Sequence, residues 1–332
     1  MGIPFANEGT EGTEGTEGTE GTEGTSASTF TVSGISAYAG RVTSPLLAQG
    51  LLTTQGEITR GITGVGAPDT TLVALGSDEA LERWSAEVRG HQYLFELVSG
   101  LQFGSTAGVA QLTFRDRPLS GAAADPNPFS MKAPTYENTE GLLKDELTKV
   151  LNEATLRPDR MNEILTQVAN PYAYFAMVLN LQPGRHRYTF ALMAALFALT
   201  DKVVMQFKHY FRIRRPADRS RLVQPVLLTP SHGSYPAGHS VQSHLVAAVL
   251  KTLIGAADKS EADVQLTRLA RRIADNRVVA GLHYPEDIDA GKPLGEALAR
   301  YFLFKAQPLV PSAAPATSAV NWLWTKAYAE WH

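Results

Sequence analysis

Two histidines, three basic residues and one aspartate in the second half of the chain are spaced so that they could gather around a small anion. Lys208 and Arg215 are seven residues apart in Lys208-His209-Tyr210-Phe211-Arg212-Ile213-Arg214-Arg215-Pro216. On one helix they would share a face, roughly 10 Å apart, with side chains long enough to converge on one ligand. Pro216 would then end the helix. In His232-Gly233-Ser234-Tyr235-Pro236-Ala237-Gly238-His239-Ser240, His239 opens an apolar run marked by Val241, Leu245, Ala248 and Leu250. The free amides of a helix N-terminus favour an anion, and Gly238 lets the backbone come close to it. A histidine at that point can give or take a proton near neutral pH. In Asn276-Arg277-Val278-Val279-Ala280-Gly281-Leu282-His283-Tyr284-Pro285-Glu286-Asp287, His283 and Asp287 are four apart and would touch on a continuous helix. A carboxylate that accepts from one ring nitrogen leaves the other as an outward lone pair, which makes a histidine a nucleophile or a metal ligand. On an unbroken helix Arg277 and His283 would point about 120° apart. Either the arginine reaches round, or Pro285 marks a break that turns His283 inward.

The elements that must position these groups read as helices. From Glu140 onward Leu143, Leu147, Val150, Leu151 and Ala154 form one apolar stripe. Further helices are expected at Met161 to Val168, Pro171 to Leu179, Arg187 to about Arg215, about His239 to Ile254, and Glu261 to Leu282, separated by proline-rich breaks. Trp322, Trp324 and Trp331 should anchor the end of the chain onto this bundle. Before Glu140 the pattern is weaker. Residues Glu8 to Thr25 are six copies of Glu-Gly-Thr, a composition that cannot bury a core and reads as a disordered tail. Ser26 to Gly76 is rich in Gly, Thr and Ser and reads as irregular, wrapping structure. Asp78 is a candidate N-cap for a helix carrying Leu81, Trp84 and Val88. Arg117 to Pro134 has four prolines and reads as a long loop. The expected architecture is therefore all-α: a tail over 1–29, an N-terminal wrapping segment over 30–135 with one or two helices, and a helical-bundle catalytic domain over 136–332.

Bulk composition narrows the field. The chain has 332 residues, formal net charge -3 and no cysteine. Disulfides, thiolate metal sites and cysteine nucleophiles are excluded, and the charge gives no sign of a nucleic-acid binder. The longest apolar run, Phe190 to Leu199, is followed at once by Asp201 and Lys202, short of the roughly 20 apolar residues that span a bilayer. Met1 to Asn7 lacks the pattern of a secretory signal. These features lead to the expectation of a soluble, cytoplasmic protein with no membrane span; a homo-oligomer is compatible with them.

Taken singly, the three blocks also read as ordinary structure: a solvated basic face, a capped turn, a helix end. Their order and spacing resemble the superfamily shared by type 2 phosphatidic acid phosphatases, bacterial class A acid phosphatases and vanadium-dependent haloperoxidases. That family carries K-x6-R-P, then P-S-G-H, then S-R-x5-H-x3-D. Here the match runs over about 80 residues as Lys208 to Arg215-Pro216, Pro236-Ala237-Gly238-His239, and Asn276-Arg277 to His283 to Asp287. Ala237 replaces a serine that, in the family, hydrogen-bonds the oxyanion, and Asn276 replaces the serine before the arginine. The resemblance implies a phosphate or vanadate cradled by Lys208, Arg215, Arg277 and the Gly238 amide. In a phosphatase acting on phosphomonoesters, His283 would be the nucleophile, Asp287 its orienter and His239 the proton donor to the leaving alcohol. In a haloperoxidase, His283 would be the single protein ligand to a vanadate cofactor, with peroxide and halide as substrates. His232, seven residues before His239, matches an extra histidine of the bromoperoxidases and tilts the sequence reading towards bromide or iodide oxidation. A non-catalytic oxyanion-binding pocket, signalled by Ala237, is the third alternative.

Overall fold

A computed structural model describes residues 78–114, 129–306 and 318–332, with a few positions between 49 and 61. The Glu-Gly-Thr repeat and most of the segment expected to wrap the bundle lie outside the described residues. The first described elements are two helices, α1 (Asp78–Arg83) and α2 (Ala86–Ser99), the second capped by Ser85 Oγ, which accepts from the Val88 amide. An antiparallel three-stranded sheet follows, in the order β1 (Leu101–Thr106), β2 (Val109–Phe114), β3 (Phe129–Lys132). The β1–β2 hairpin turns on Ala107 and Gly108, both at positive φ (50° and 79°), the geometry that matches strand twist in a two-residue turn. This sheet corrects two expectations: the N-terminal part is not purely helical and irregular, and the segment expected to be a loop to Pro134 contains a strand.

The rest of the described chain is helical: α3 (Glu140–Glu153), α4 (Arg157–Ala169), α5 (Tyr172–Leu179), α6 (Arg187–Phe211), the short α7 (Pro216–Arg219), α8 (Gly238–Leu253), α9 (Glu261–Val279), α10 (Pro285–Ala306) and α11 (Ala319–Tyr328). Helix α8 is the central one. Nearly all its residues are buried, and it packs against α10, α9 and α6. Its approach to α10 is close because α10 carries glycines at the contact. A Cβ on Gly291 would come within 2.6 Å of Ser240 Cβ, and one on Gly295 within 2.6 Å of the Val241 carbonyl oxygen, distances that real side chains do not adopt. The core is continuous from sheet to bundle. Phe103 and Phe129 meet Phe207 edge-on, with centroids at 5.1 and 6.1 Å, and Phe114 stacks on Tyr301 at 5.0 Å.

The C-terminal tryptophans anchor the tail as expected. Trp322 and Trp324 are buried, and Trp331 Nε1 donates to Thr189 Oγ1 at 3.0 Å. Glu330 accepts from the amides of Tyr188 and Thr189, both at 2.8 Å, and so caps the start of α6. The stretch Arg187–Arg219 is, by length and composition, apolar enough to cross a membrane, although just over half of its most apolar window (56%) is buried within the protein.

Candidate functional site

Helix α6 ends earlier than Pro216 would dictate. Its last residue is Phe211, and Arg212 takes a left-handed conformation (φ 54°, ψ 35°) as C-cap. Lys208 therefore sits in the last turn of α6, while Arg215 lies beyond the helix as the N-cap residue of α7. The expectation that the two share one helix face is corrected. They are brought together instead by the loop 231–237, whose Ser234 amide donates to the Ile213 carbonyl at 2.8 Å. Lys208 Nζ donates to the carbonyl oxygens of Gly233 (2.8 Å) and Ser234 (3.0 Å). Arg215 Nε donates to the His232 carbonyl at 3.2 Å and Nη1 to the Leu282 carbonyl at 3.0 Å.

The break that separates Arg277 from His283 comes before Pro285. Helix α9 ends at Val279, and Gly281 adopts φ +82°. The Gly281 amide donates to the Val278 carbonyl at 2.8 Å and the Leu282 amide to the Arg277 carbonyl at 3.0 Å. This pair of bonds is a Schellman ending, which needs a left-handed residue and so favours glycine. Arg157 reinforces it from α4: its guanidinium donates to the carbonyls of Val279 (2.9 Å), Val223 (2.9 Å) and Gln224 (3.0 Å). His283 is thus on a turn, and Asp287 is in the first turn of α10, where its Oδ2 also accepts from the Tyr284 amide at 3.0 Å. That is one half of a capping box. The expected His283–Asp287 contact is present through this turn-and-cap geometry, with Nδ1 of His283 3.0 Å from Oδ2, and not along a continuous helix.

The resulting centre is buried. Lys208, Arg215, Arg277, His239, His283 and Asp287 are each at most 2% exposed. Nη1 of Arg215 lies 3.4 Å from Nε2 of His283, and its Nη2 lies 3.2 Å from Nδ1 of His232. Ser234 Oγ donates to Asp287 Oδ2 in a short hydrogen bond and lies 3.2 Å from His283 Nδ1. Tyr136 OH donates to the other oxygen, Oδ1, at 2.7 Å. Burial disfavours an ionised Asp287, but the bonds from His283, Ser234 and Tyr136 and the charge of His283 outweigh it and hold the carboxyl below its usual range. The Tyr136 phenol is pushed far up by burial and by the Asp287 charge, so it stays a donor.

Helix α8 brings its N-terminus to the same place. The Ala237 amide donates to the Asp287 carbonyl at 3.1 Å, and Gly238 and His239 begin the helix. A Cβ on Gly238 would meet only Val204 Cγ1, at 3.9 Å, so packing within the protein does not require glycine there. Arg277 approaches from the last turn of α9, where its Nη2 donates to the Ile164 carbonyl (3.2 Å) and Gln167 Oε1 (3.0 Å). Asn276 is turned away into the same α4 contact, donating to Glu163 and Gln167 at 2.9 and 3.0 Å. The residues singled out from the sequence are therefore joined directly (Arg215, His232, His283, Asp287) or through the backbone segments that carry them (Lys208, Ala237, Gly238, His239, Arg277). Ser234 and Tyr136 join them without having been singled out. Ser234 lies inside the second block, whereas Tyr136 stands 151 residues from its partner and nothing in its local sequence marks it.

Chemically, the arrangement offers a histidine whose Nδ1 is committed to a carboxylate and whose Nε2 faces a guanidinium. Around it are buried cations and a helix N-terminus. Such a site suits an oxyanion that gains a bond to Nε2. Among the described residues no group of three or more His, Asp or Glu is arranged to hold a metal cation.

No family model matches the chain. A non-specific acid phosphatase of Salmonella typhi is 32% identical over 98 residues, covering 26% of this chain and 34% of that protein. The corresponding enzyme of Salmonella typhimurium is 31% identical over the same length and shares. The chain thus spans about a third of the length of the curated relatives it matches. Among solved structures, a transmembrane PAP2-type phosphatidylglycerolphosphate phosphatase from Bacillus subtilis aligns at TM-score 0.41 and 18% identity, covering 52% of this chain and 91% of its own. A bacterial vanadium-dependent iodoperoxidase aligns at TM-score 0.40 and 20% identity, covering 51% and 50%. With acid phosphatases among its curated relatives, the chain resembles the superfamily of type 2 phosphatidic acid phosphatases, class A acid phosphatases and vanadium haloperoxidases.

Proposed function

We propose that the chain is a phosphomonoester hydrolase acting through a phosphohistidine on His283. The observation that carries this reading is the orientation of that ring, with Nδ1 3.0 Å from Asp287 and Nε2 3.4 Å from Arg215. Nε2 attacks phosphorus as the bond to the ester oxygen breaks, and His239 gives a proton to the departing alkoxide. A water molecule, losing its proton to the same histidine, then cleaves the P–N bond and frees phosphate. Lys208, Arg215, Arg277 and the Gly238 amide balance the charge on the equatorial oxygens. The acid phosphatase relatives support this order of preference over the halide oxidation that His232 favours at the level of sequence.

The second reading is a vanadium-dependent haloperoxidase. The observation that favours it is His232 itself, placed with Nδ1 3.2 Å from Arg215 Nη2 at the edge of the centre. Vanadate would be held by the same Lys208, Arg215, Gly238, Arg277 and His283. When bound it would supply the oxidising chemistry for bromide or iodide with hydrogen peroxide. The cationic, single-histidine donor set fits such an anion.

One set of assays separates the readings. Purified full chain is given p-nitrophenyl phosphate, and separately hydrogen peroxide, bromide and a phenol dye with and without orthovanadate. Hydrolysis that orthovanadate inhibits, and that His283→Ala abolishes, is the expected result. Vanadate-dependent bromination without hydrolysis would transfer the assignment to the second reading. Phosphate binding with neither reaction would make the site a silent oxyanion pocket. Wild-type activity in His283→Ala would overturn both catalytic readings.

A further inference from the structure

Three consecutive residues that follow the sheet, Thr135, Tyr136 and Glu137, each bond to the centre's own elements. Thr135 offers both its amide and its hydroxyl to the Glu286 carboxylate, at 2.7 and 2.8 Å. Tyr136 donates to Asp287 Oδ1 at 2.7 Å, and its ring lies on Tyr284 with centroids 4.4 Å apart. Glu137 pairs with Arg219 of α7 at 2.5 Å. A single short stretch therefore ties the N-terminal layer to both the α7 turn behind Arg215 and the start of α10.

We infer that Tyr136 is a positioning residue: through Asp287 it sets the orientation of His283, and the N-terminal layer is part of the catalytic apparatus in this sense. The inference rests on the proposed role of His283. Asp287 has two oxygens, and His283 needs only one of them. Oδ2 already serves the Nδ1 of His283, Ser234 Oγ and the Tyr284 amide. Oδ1 is held by Tyr136. The Cβ–Cγ torsion of a carboxylate is intrinsically broad, and rotation about it moves both oxygens, so a bond at Oδ1 adds to the hold at Oδ2. With Oδ1 fixed too, rotation would break a buried charge-assisted bond, which is strongly resisted. The ring of His283 inherits this fixation, and Nε2 is kept on the side of Arg215. Tyr136 itself cannot swing away, since it is fully buried and packed on Tyr284.

The test is Tyr136→Phe, which removes only the hydroxyl. In protein labelled with nitrogen-15 at histidine, His283 should show a downfield Nδ1–H resonance in slow exchange. In Tyr136→Phe that resonance should shift or broaden while the melting temperature stays close to wild type. With p-nitrophenyl phosphate, kcat should fall roughly tenfold and KM should hold, because the cations that hold the oxyanion are untouched. A merely structural role would lower the melting temperature and leave the resonance and kcat of the folded fraction unchanged, and that outcome overturns the inference. If Tyr136→Phe does not fold, Thr135→Val carries the same comparison. It removes one tie to Glu286 and leaves both rings in place, so a smaller change in the same direction is expected and an unchanged resonance overturns the proposal. If the wild type does not hydrolyse the ester, the proposed function fails by that result, while the resonance still decides the role of Tyr136.

Discussion

At the scale of single residues, Ala237 is one of two positions, with Asn276, where this chain departs from the pattern it resembles. It is fully buried, and its amide is spent on the Asp287 carbonyl at 3.1 Å, so the residue holds the start of α8 against the His283 turn without offering a side-chain donor. Ala237→Ser places a hydroxyl beside the Gly238 amide. If that hydroxyl reaches the oxyanion, phosphate and orthovanadate should bind about 1 kcal/mol more tightly, roughly a fivefold fall in the inhibition constant. Unchanged inhibition by both anions would show that another donor already serves that oxygen. Lys208, Arg215, His239, Arg277, His283 and Asp287 were legible in the sequence because their side chains and spacings carry the chemistry. Tyr136 was not. A tyrosine at a distance of 151 residues has no periodicity or motif to mark it, and only the folded sheet and bundle put it on Asp287.

At the scale of elements, helices α3 to α6, α8 and α9 followed from apolar periodicity, with ends displaced by a few residues, whereas α7, α10 and α11 were not among the expected helices. The largest displacements are at the start of α4, which begins at Arg157 and not Met161, and at the end of α6. Pro216 is a reliable stop, but a stop signal gives only an outer limit. The actual end at Phe211 depends on Arg212 entering the left-handed region, which no glycine or asparagine announces. The sheet escaped notice for a related reason. The inward face of β2 is Ala110 and Leu112, a short alternation, and its hairpin turns on Ala107-Gly108 where Asn-Gly would have been the recognisable signal. The α6–α8 seam also holds a group that pattern alone would pass over. Asp201 accepts from Gln242 Nε2 at 2.9 Å. Burial pushes its carboxyl up to about 8, and the bond from Gln242 and the charge of Lys202 only partly oppose this. A carboxyl raised in the folded state binds its proton more tightly there than in the unfolded chain. Stability is therefore lost as pH rises from the ordinary carboxyl value of 3.8 to about 8. Asp201→Asn cannot ionise and can still accept from Gln242. Its melting temperature should gain on wild type steadily between pH 5 and pH 8, and a gap that does not widen over that range would refute the account.

On the scale of the whole molecule, long-range ties hold the layers together. The N-terminal layer is bonded to the site through Thr135–Glu137, and the last residues are bonded to α6. His186, the N-cap residue of α6, supplies no side-chain cap, and Glu330 takes that role with bonds of 2.8 Å to the Tyr188 and Thr189 amides and the Thr189 hydroxyl. Glu330→Ala should lower the stability to urea by about 1–2 kcal/mol, the usual worth of a lost cap. A change below about 0.5 kcal/mol would mean that water replaces the carboxylate there without loss. The same anchoring was foreseen from Trp322, Trp324 and Trp331, whose size and apolar character announce burial, whereas the capping role of Glu330 depends on a meeting of distant segments.

That last arrangement bears on how the chain is made. The longest described helix leaves the ribosome with bare leading amides, and the acidic group that satisfies them is translated 142 residues later. Until that contact forms, the leading turn of α6 lacks roughly the 1–2 kcal/mol of a cap, so the end of the helix remote from Lys208 is the part expected to fray first.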